Sequence, residues 1–370
     1  MAESHNDLSV RFERWTTLSE LNRHAEALQV AEQGILADSS NSLYWNLKGM
    51  SLASEQRYEE AVASYQEGLR CDPDDPSIWR HLADAFDHLS RLSEALDTLD
   101  HATQLDPAYA EAWADNAWIL AELDRREEAL ATLDHAMRLS PDHPYSWSIK
   151  AYLLRKLGDL DEALAADQQA LQLTPDDAGL WALRGDLLVV MERPEQAVQA
   201  LERALALDPA DVVARHNLGL ALNALGRYEE ALAVLQLALE QEENAETWSV
   251  QGTALHALGQ YEEALAAVKQ ALALDPTRTE DWYGKALELR QLGRPEEALV
   301  ALAEVERLDP TTMSNPGVLR EKAAALRAAG REAEAIATEA QAEVYARQHA
   351  AERAETSLPS KNENSESKEG

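Results

Sequence analysis

Ten alanines, at Ala27, Ala61, Ala95, Ala129, Ala163, Ala197, Ala231, Ala264, Ala298 and Ala335, recur every 34 residues, apart from one interval of 33 and one of 37 near the end. A period of roughly 20 to 50 residues marks a small unit copied in tandem, and such units bury their apolar faces mainly against neighbouring copies. A chain of 370 residues would otherwise divide into two or three globules. A stack lengthens in one dimension without such divisions, so the reading is one repeat domain followed by a tail.

Charge narrows the function classes. Asp and Glu number 67 against 33 Lys and Arg, a formal net charge of -34, which repels a phosphate backbone or an anionic bilayer surface. Nucleic acid binding and membrane insertion are therefore not expected. The single cysteine, Cys71, cannot form an internal disulfide, and the polar start MAESHND lacks the apolar stretch of a secretory signal. No apolar run approaches a membrane span, and the expected location is the reducing cytoplasm. Self-association through the ends of the stack stays open.

Counting from residue 42 as the start of a unit, position 4 is Trp45, Trp79, Trp113, Trp147, Trp181, then Arg215, then Trp248 and Trp282. Position 8 is small throughout these units, from Gly49 to Ala286, so two backbones approach closely there. Near the end of the unit comes proline, as at Pro73, Pro107 and Pro141, which stops the preceding helix. Apolar residues between these marks follow helical spacing, and Gly158, Gly226, Gly259 and Gly293 at position 15 signal a turn between two helices. Paired acids just before the repeated alanine, among them Glu59-Glu60 and Glu229-Glu230, fall where a second helix starts and complement its dipole.

This pattern resembles the tetratricopeptide repeat, whose signature joins a Trp, a Leu-Gly pair, a Tyr, an Ala and a closing Pro. The clearest copies read WNLKGMSLASEQRYEEAVASYQEGLRCDP and WSVQGTALHALGQYEEALAAVKQALALDP. The resemblance implies an all-α fold, an α-solenoid of tandem helix-turn-helix units forming a right-handed superhelix. Ten units are expected over residues 8–349, namely 8–41, 42–75, 76–109, 110–143, 144–177, 178–211, 212–244, 245–278, 279–312 and 316–349. Residues 1–7 read as a polar N-terminal extension. Residues 350–370 read as the end of a capping helix and a disordered polar tail. The repeated tryptophans are expected to be deeply buried, with Trp147→Ala destabilising by ~3–5 kcal/mol.

The resemblance further implies that the first helix of each pair lines a concave groove, with positions 2, 5, 9 and 12 facing it. Those positions include Arg80, Asp84, Asp87, Trp118, Tyr145, Tyr152, Arg155, His216, Asn223, His256, Tyr283 and Arg290. Trp118, Tyr145 and Tyr152 fall on adjacent units and are followed by Arg155 and Lys156, a cluster suited to holding an extended peptide. The partner-binding candidates are thus Trp118, Tyr145, Tyr152, Arg155, Lys156, Arg80 and Tyr283. The plainer alternative is that Trp118 completes packing between the units starting at 110 and 144. Some members of the family grip a carboxylate with Lys at position 5 and Asn at position 9, and that pairing is absent here.

Catalytic constellations are missing from the sequence. No Gly-rich phosphate loop, nucleophile elbow or Cys-His pairing occurs, and a metal site built from His81, Asp84 and His88 is disfavoured because a helix face rich in Asp and His is usually just solvated. The expected function is a non-enzymatic scaffold or adaptor, without cofactor or metal, that binds a protein, an extended peptide or a partner helix through its groove. The alternative is a regulatory or sensing subunit whose superhelix responds to a small peptide or metabolite.

Overall fold

The computed structural model describes the backbone of residues 2–356 and the side chains of 8–350. The expected disordered tail lies outside the described residues from 357 onward. Twenty α-helices and one short 3-10 helix (Pro310–Ser314) account for the described backbone, with no strand among the described residues. They are α1 (Ala2–Glu20), α2 (His24–Ala37), α3 (Ser42–Ser54), α4 (Tyr58–Cys71), α5 (Pro76–His88), α6 (Leu92–Leu105), α7 (Ala110–Glu122), α8 (Arg126–Leu139), α9 (Pro144–Leu157) and α10 (Leu160–Leu173). There follow α11 (Ala178–Val190), α12 (Pro194–Leu207), α13 (Val212–Ala224), α14 (Tyr228–Gln241), α15 (Ala245–Ala257), α16 (Tyr261–Leu274), α17 (Thr279–Gln291), α18 (Pro295–Leu308), α19 (Pro316–Ala328) and α20 (Glu332–Thr356). Because α1 begins at Ala2, the stretch set aside as an extension has helical backbone. The chain forms two compact units, Met1–Leu183 and Arg184–Gly370.

Within each unit the helices pack as consecutive antiparallel hairpins, α3 with α4, α5 with α6 and so on, and each hairpin also touches the next. All ten phase-marking alanines are 0 % exposed. They sit in the first turn of the second helix, where a larger side chain would overpack the hairpin. Position 8 meets position 24 across each hairpin: a Cβ on Gly49 would lie 2.3 Å from the Tyr65 ring, and one on Gly219 2.4 Å from Leu235. Leu99, Leu133, Leu201 and Leu302 fill the same slot in other hairpins, and all are buried. Asn41, Asp75 and Asp211 cap the first helices by accepting backbone N–H bonds, while Pro76, Pro144 and Pro316 open theirs.

The turn inside each hairpin departs from expectation in an informative way. Gly158, Gly226, Gly259, Gly293 and Gly330 have left-handed backbone with φ of 70–87°, and Asn22, Gln56, Ser90, Asp124 and Glu192 adopt the same conformation at the same slot with φ of 54–61°. The hairpin geometry demands this conformation whether or not glycine supplies it. The next residue is usually Arg, which reaches forward three positions to the second acid of the first turn. Arg57–Glu60, Arg125–Glu128, Arg227–Glu230 and Arg294–Glu297 all pair at 2.6–2.7 Å. The paired acids thus serve helix starts, as their position predicts.

The repeated tryptophans correct the sequence expectation, being half-buried rather than deeply buried. Six of these indoles, on Trp45, Trp79, Trp113, Trp147, Trp181 and Trp282, donate their N–H to the carbonyl six residues earlier, in the loop that enters the helix. Trp79 bonds Pro73 O at 2.8 Å, Trp147 bonds Pro141 O at 2.8 Å, and Trp181 bonds Pro175 O at 2.8 Å. Arg215, the odd member of the series, sends its guanidinium to the equivalent carbonyl of Pro209. The slot is a latch on the loop more than a core plug. Truncating Trp147 removes less apolar burial than a fully buried indole would, and with it the tie to Pro141 O, so the loss falls toward the lower end of ~3–5 kcal/mol.

Candidate functional site

Three first helices of the N-terminal unit, α5, α7 and α9, lie side by side, α7 touching both of its neighbours. Side chains at groove positions can therefore meet across successive hairpins. Trp118 in the middle of α7 reaches both ways: its indole N–H donates to Asp87 Oδ2 on α5 at 3.1 Å, and its ring packs against Tyr152 on α9 with centroids 5.0 Å apart. Trp118 is half-buried against the cores on either side, so it packs the hairpins and still shows a face to solvent. The Tyr152 hydroxyl donates to Glu122 Oε1 at 2.8 Å, and Lys156 Nζ stands 5.1 Å from the Tyr152 ring centre. The packing and binding readings of Trp118 describe two faces of one side chain.

Tyr145, in the first turn of α9, is 40 % exposed, and its hydroxyl feels the charge of Asp115. Arg80 on α5 grips the same Asp115, Nε to Oδ2 at 2.6 Å. Burial lifts the Asp115 carboxyl to about 6, even though Arg80 and the Tyr145 hydroxyl favour its ionised form. Burial also raises Asp87, against the pull of the Trp118 N–H. Arg80 is thus committed to a structural ion pair, a role its groove position alone did not indicate.

Trp118, Tyr145 and Tyr152 line a hollow of about 320 Å³ together with Asp177, Gly179, Leu180 and Leu183. A second, smaller hollow of about 30 Å³ lies against Trp118 and Tyr145 and is lined by Asp84, Asp87 and Asp115. The structure thus brings three of the candidates together. Lys156 is exposed beside them, while Arg155 is half-buried on the same helix and does not line the hollow. Tyr283 belongs to the other unit, where it packs in the α17–α18 core near Arg290 and Glu321. Sequence reasoning missed Glu122, which accepts from the Tyr152 hydroxyl, and Asp115, which holds Arg80 and lies near Tyr145. Asp115 occupies position 6, outside the positions read as groove-facing.

Of His81, Asp84 and His88, the last two approach each other, His88 Nε2 lying 3.9 Å from Asp84 Oδ1. His81 turns to Asn46, Nδ1 to Oδ1 at 2.9 Å, and burial pushes it down to about 4, whereas His88 stacks on Tyr58 with centroids 4.4 Å apart. Among the described residues no three His, Cys, Asp or Glu side chains gather as metal ligands. None of the described helices is long and apolar enough to cross a membrane.

With hairpin, latch and turn slots in place, family comparison becomes decisive. Tetratricopeptide repeat models match residues 49–87, 88–153, 144–177, 183–249 and 245–278. The chain belongs to the tetratricopeptide repeat family. Its fold is an all-α helical repeat solenoid. Among solved structures, this repeat protein is similar to the anaphase-promoting complex hetero-tetramer Cut9-Hcn1, with 19 % identity and a TM-score of 0.61 over 77 % of this chain and 56 % of that one. The chain therefore spans little more than half the length of that relative. It is also similar to PilW, a type IV pilus biogenesis factor (21 % identity, TM-score 0.52, 54 % of this chain and 94 % of that one). A third likeness is to a tetratricopeptide repeat protein from Parabacteroides merdae (15 % identity, TM-score 0.50, 68 % and 98 %). At these identities the likeness is one of fold. No curated protein matches the chain.

Proposed function

We propose that this tetratricopeptide repeat protein is a non-enzymatic scaffold that binds an extended peptide segment of a partner protein along the row of first helices in its N-terminal unit. The observation that carries the reading is the hollow of about 320 Å³ between α7, α9 and α11, walled by Trp118, Tyr145 and Tyr152. Large rings that are held by hydrogen bonds at one edge and open on a face are what interface anchors look like, because they bury area at little entropic loss. Family membership supports a protein-interaction role in general. The net charge of -34 argues against nucleic acid as the partner, and the lone cysteine fits a cytoplasmic setting.

The test is a double variant, Trp118→Ala with Tyr152→Ala, compared with wild type in affinity capture from the native host. Helicity by circular dichroism should be unchanged, and the captured partners should fall at least tenfold. Partners retained at wild-type levels would overturn the site.

A further inference from the structure

We propose that the Trp118–Tyr145–Tyr152 hollow accepts a cationic side chain, an arginine or lysine of a basic partner segment. The inference rests on the peptide-binding reading above and adds the chemistry of the anchor.

Two rings of the hollow give their polar hydrogens to carboxylates, Trp118 to Asp87 and Tyr152 to Glu122, and the third, Tyr145, lies in the field of Asp115. Such bonding pulls the donor hydrogen away and leaves the ring faces richer in negative potential, the property that attracts cations. Tyr152 already displays this attraction, with Lys156 Nζ 5.1 Å from its centre. The carboxylates themselves stand at the rims. Asp177 lines the larger hollow, and Asp84, Asp87 and Asp115 line the smaller one behind Trp118 and Tyr145.

Charge balance decides the sign of the guest. Asp177 lines the larger hollow, Asp84, Asp87 and Asp115 line the smaller one, and Glu122 holds Tyr152, against Lys156 over Tyr152 and Arg80, which is already bound to Asp115 at 2.6 Å. An anionic anchor would meet a negative field at short range, where water screens it least. A purely aliphatic anchor would fill the hollow without using the carboxylates around it. A guanidinium satisfies both, stacking its plane on a ring and donating to a rim carboxylate.

Gly179 supplies an independent handle. It sits exposed at the mouth of the hollow, where an added Cβ would lie 3.3 Å from Asp177 Oδ1. Gly179→Phe therefore fills the hollow while leaving every ring and carboxylate residue in place, its Cβ coming close to Asp177 Oδ1, and it removes a weak helix former near the start of α11.

The experiment is calorimetric titration of the full chain with four acetylated, amidated octapeptides. These alternate serine with arginine, with citrulline (the neutral isostere of arginine), with glutamate or with leucine. The expected result is measurable binding of the arginine peptide, at least tenfold weaker binding of the citrulline peptide, and none of the glutamate peptide. Gly179→Phe should lower arginine-peptide affinity at least tenfold, and Asp87→Asn with Asp177→Asn at least fivefold. Citrulline or leucine peptides binding as tightly, with loss on Gly179→Phe, would overturn the cation preference and leave the peptide-binding site standing. If no peptide responds to Gly179→Phe, including an arginine peptide that binds the acidic surface at large, both readings fall.

Discussion

The first helices of the two units spend the same repeat positions differently. In the N-terminal unit, position 2 carries Tyr145 and position 9 carries Trp118 and Tyr152 on adjacent hairpins, and their rings leave a hollow open between them. In the C-terminal unit the groove positions carry His216, Asn223, His256 and Arg290, and each is turned onto the next hairpin. His216 Nδ1 meets Thr247 Oγ1 at 3.0 Å, Asn223 donates to Val250 O at 3.0 Å, His256 Nδ1 lies 2.7 Å from Glu288 Oε1, and Arg290 pairs with Glu321. One row is stitched shut by polar cross-links while the other keeps aromatic faces for a guest. The lesson is that a shared repeat fixes where side chains project, and only the choice of side chain decides between cohesion and recognition.

The sharpest way to break that comparison is to cut one stitch in each row. Glu288 is 3 % exposed, and burial already raises its pKa against the pull of His256. His256→Ala should therefore leave a buried carboxylate without its ring partner and lower stability by about 2–3 kcal/mol. Tyr152→Phe removes a hydroxyl bonded to the exposed Glu122 and should change stability by less than about 1 kcal/mol. Urea unfolding midpoints check both, and equal losses would erase the distinction drawn between the rows.

Acidity separates the rows next. The carboxyl of Asp115 sits at about 6 in the folded protein, above its ordinary value of 3.8. Below pH ~4 both folded and unfolded chains hold that proton, and the fold keeps the full contribution. As pH rises through 6 the folded chain must accommodate a buried anion, and a contribution on the order of 2 kcal/mol is lost. Wild type should accordingly lose stability relative to Asp115→Asn between pH 4 and 6. A pH-independent difference between the two proteins would place the Asp115 titration elsewhere.

The smallest expected effect concerns the turns. Four of the five left-handed turn residues in the N-terminal unit carry side chains (Asn22, Gln56, Ser90 and Asp124), whereas the C-terminal unit uses glycine at Gly226, Gly259, Gly293 and Gly330 and a side chain at Glu192. Gly259→Ala should destabilise by about 1 kcal/mol, since a Cβ disfavours left-handed backbone. Gln56→Gly should stabilise by about 0.5 kcal/mol, because relief of strain exceeds the added freedom of the unfolded chain. Opposite signs in the shifts of thermal midpoints are the readout.

Most of this architecture could be read from spacing alone. The alanine phase, the small position 8 and the glycines at position 15 each state a steric requirement that few residues meet, so they recur visibly. Gln56 and Glu192 escaped notice because a hairpin can impose a backbone conformation that its sequence does not advertise. The depth of the tryptophans was misjudged for a related reason: regular spacing shows that an aromatic is needed, not whether it faces a core or a loop. The meeting of Trp118, Tyr145 and Tyr152 followed from register. The carboxylates beside them did not, because Asp115 and Glu122 answer to three-dimensional proximity across hairpins and to no periodic rule.

The loop latch has a consequence for how such a chain can change over time. Indole, loop carbonyl and left-handed turn recur together in most of the 34-residue periods, and each tie joins residues only six apart in sequence. Excising or duplicating one whole period would carry a complete set of fastenings with it and rejoin the stack in phase, whereas a cut of any other length would sever a fastening and rotate every later hairpin out of register. Recognition surfaces on such a chain can thus be lengthened or shortened in whole steps, leaving the joints themselves untouched.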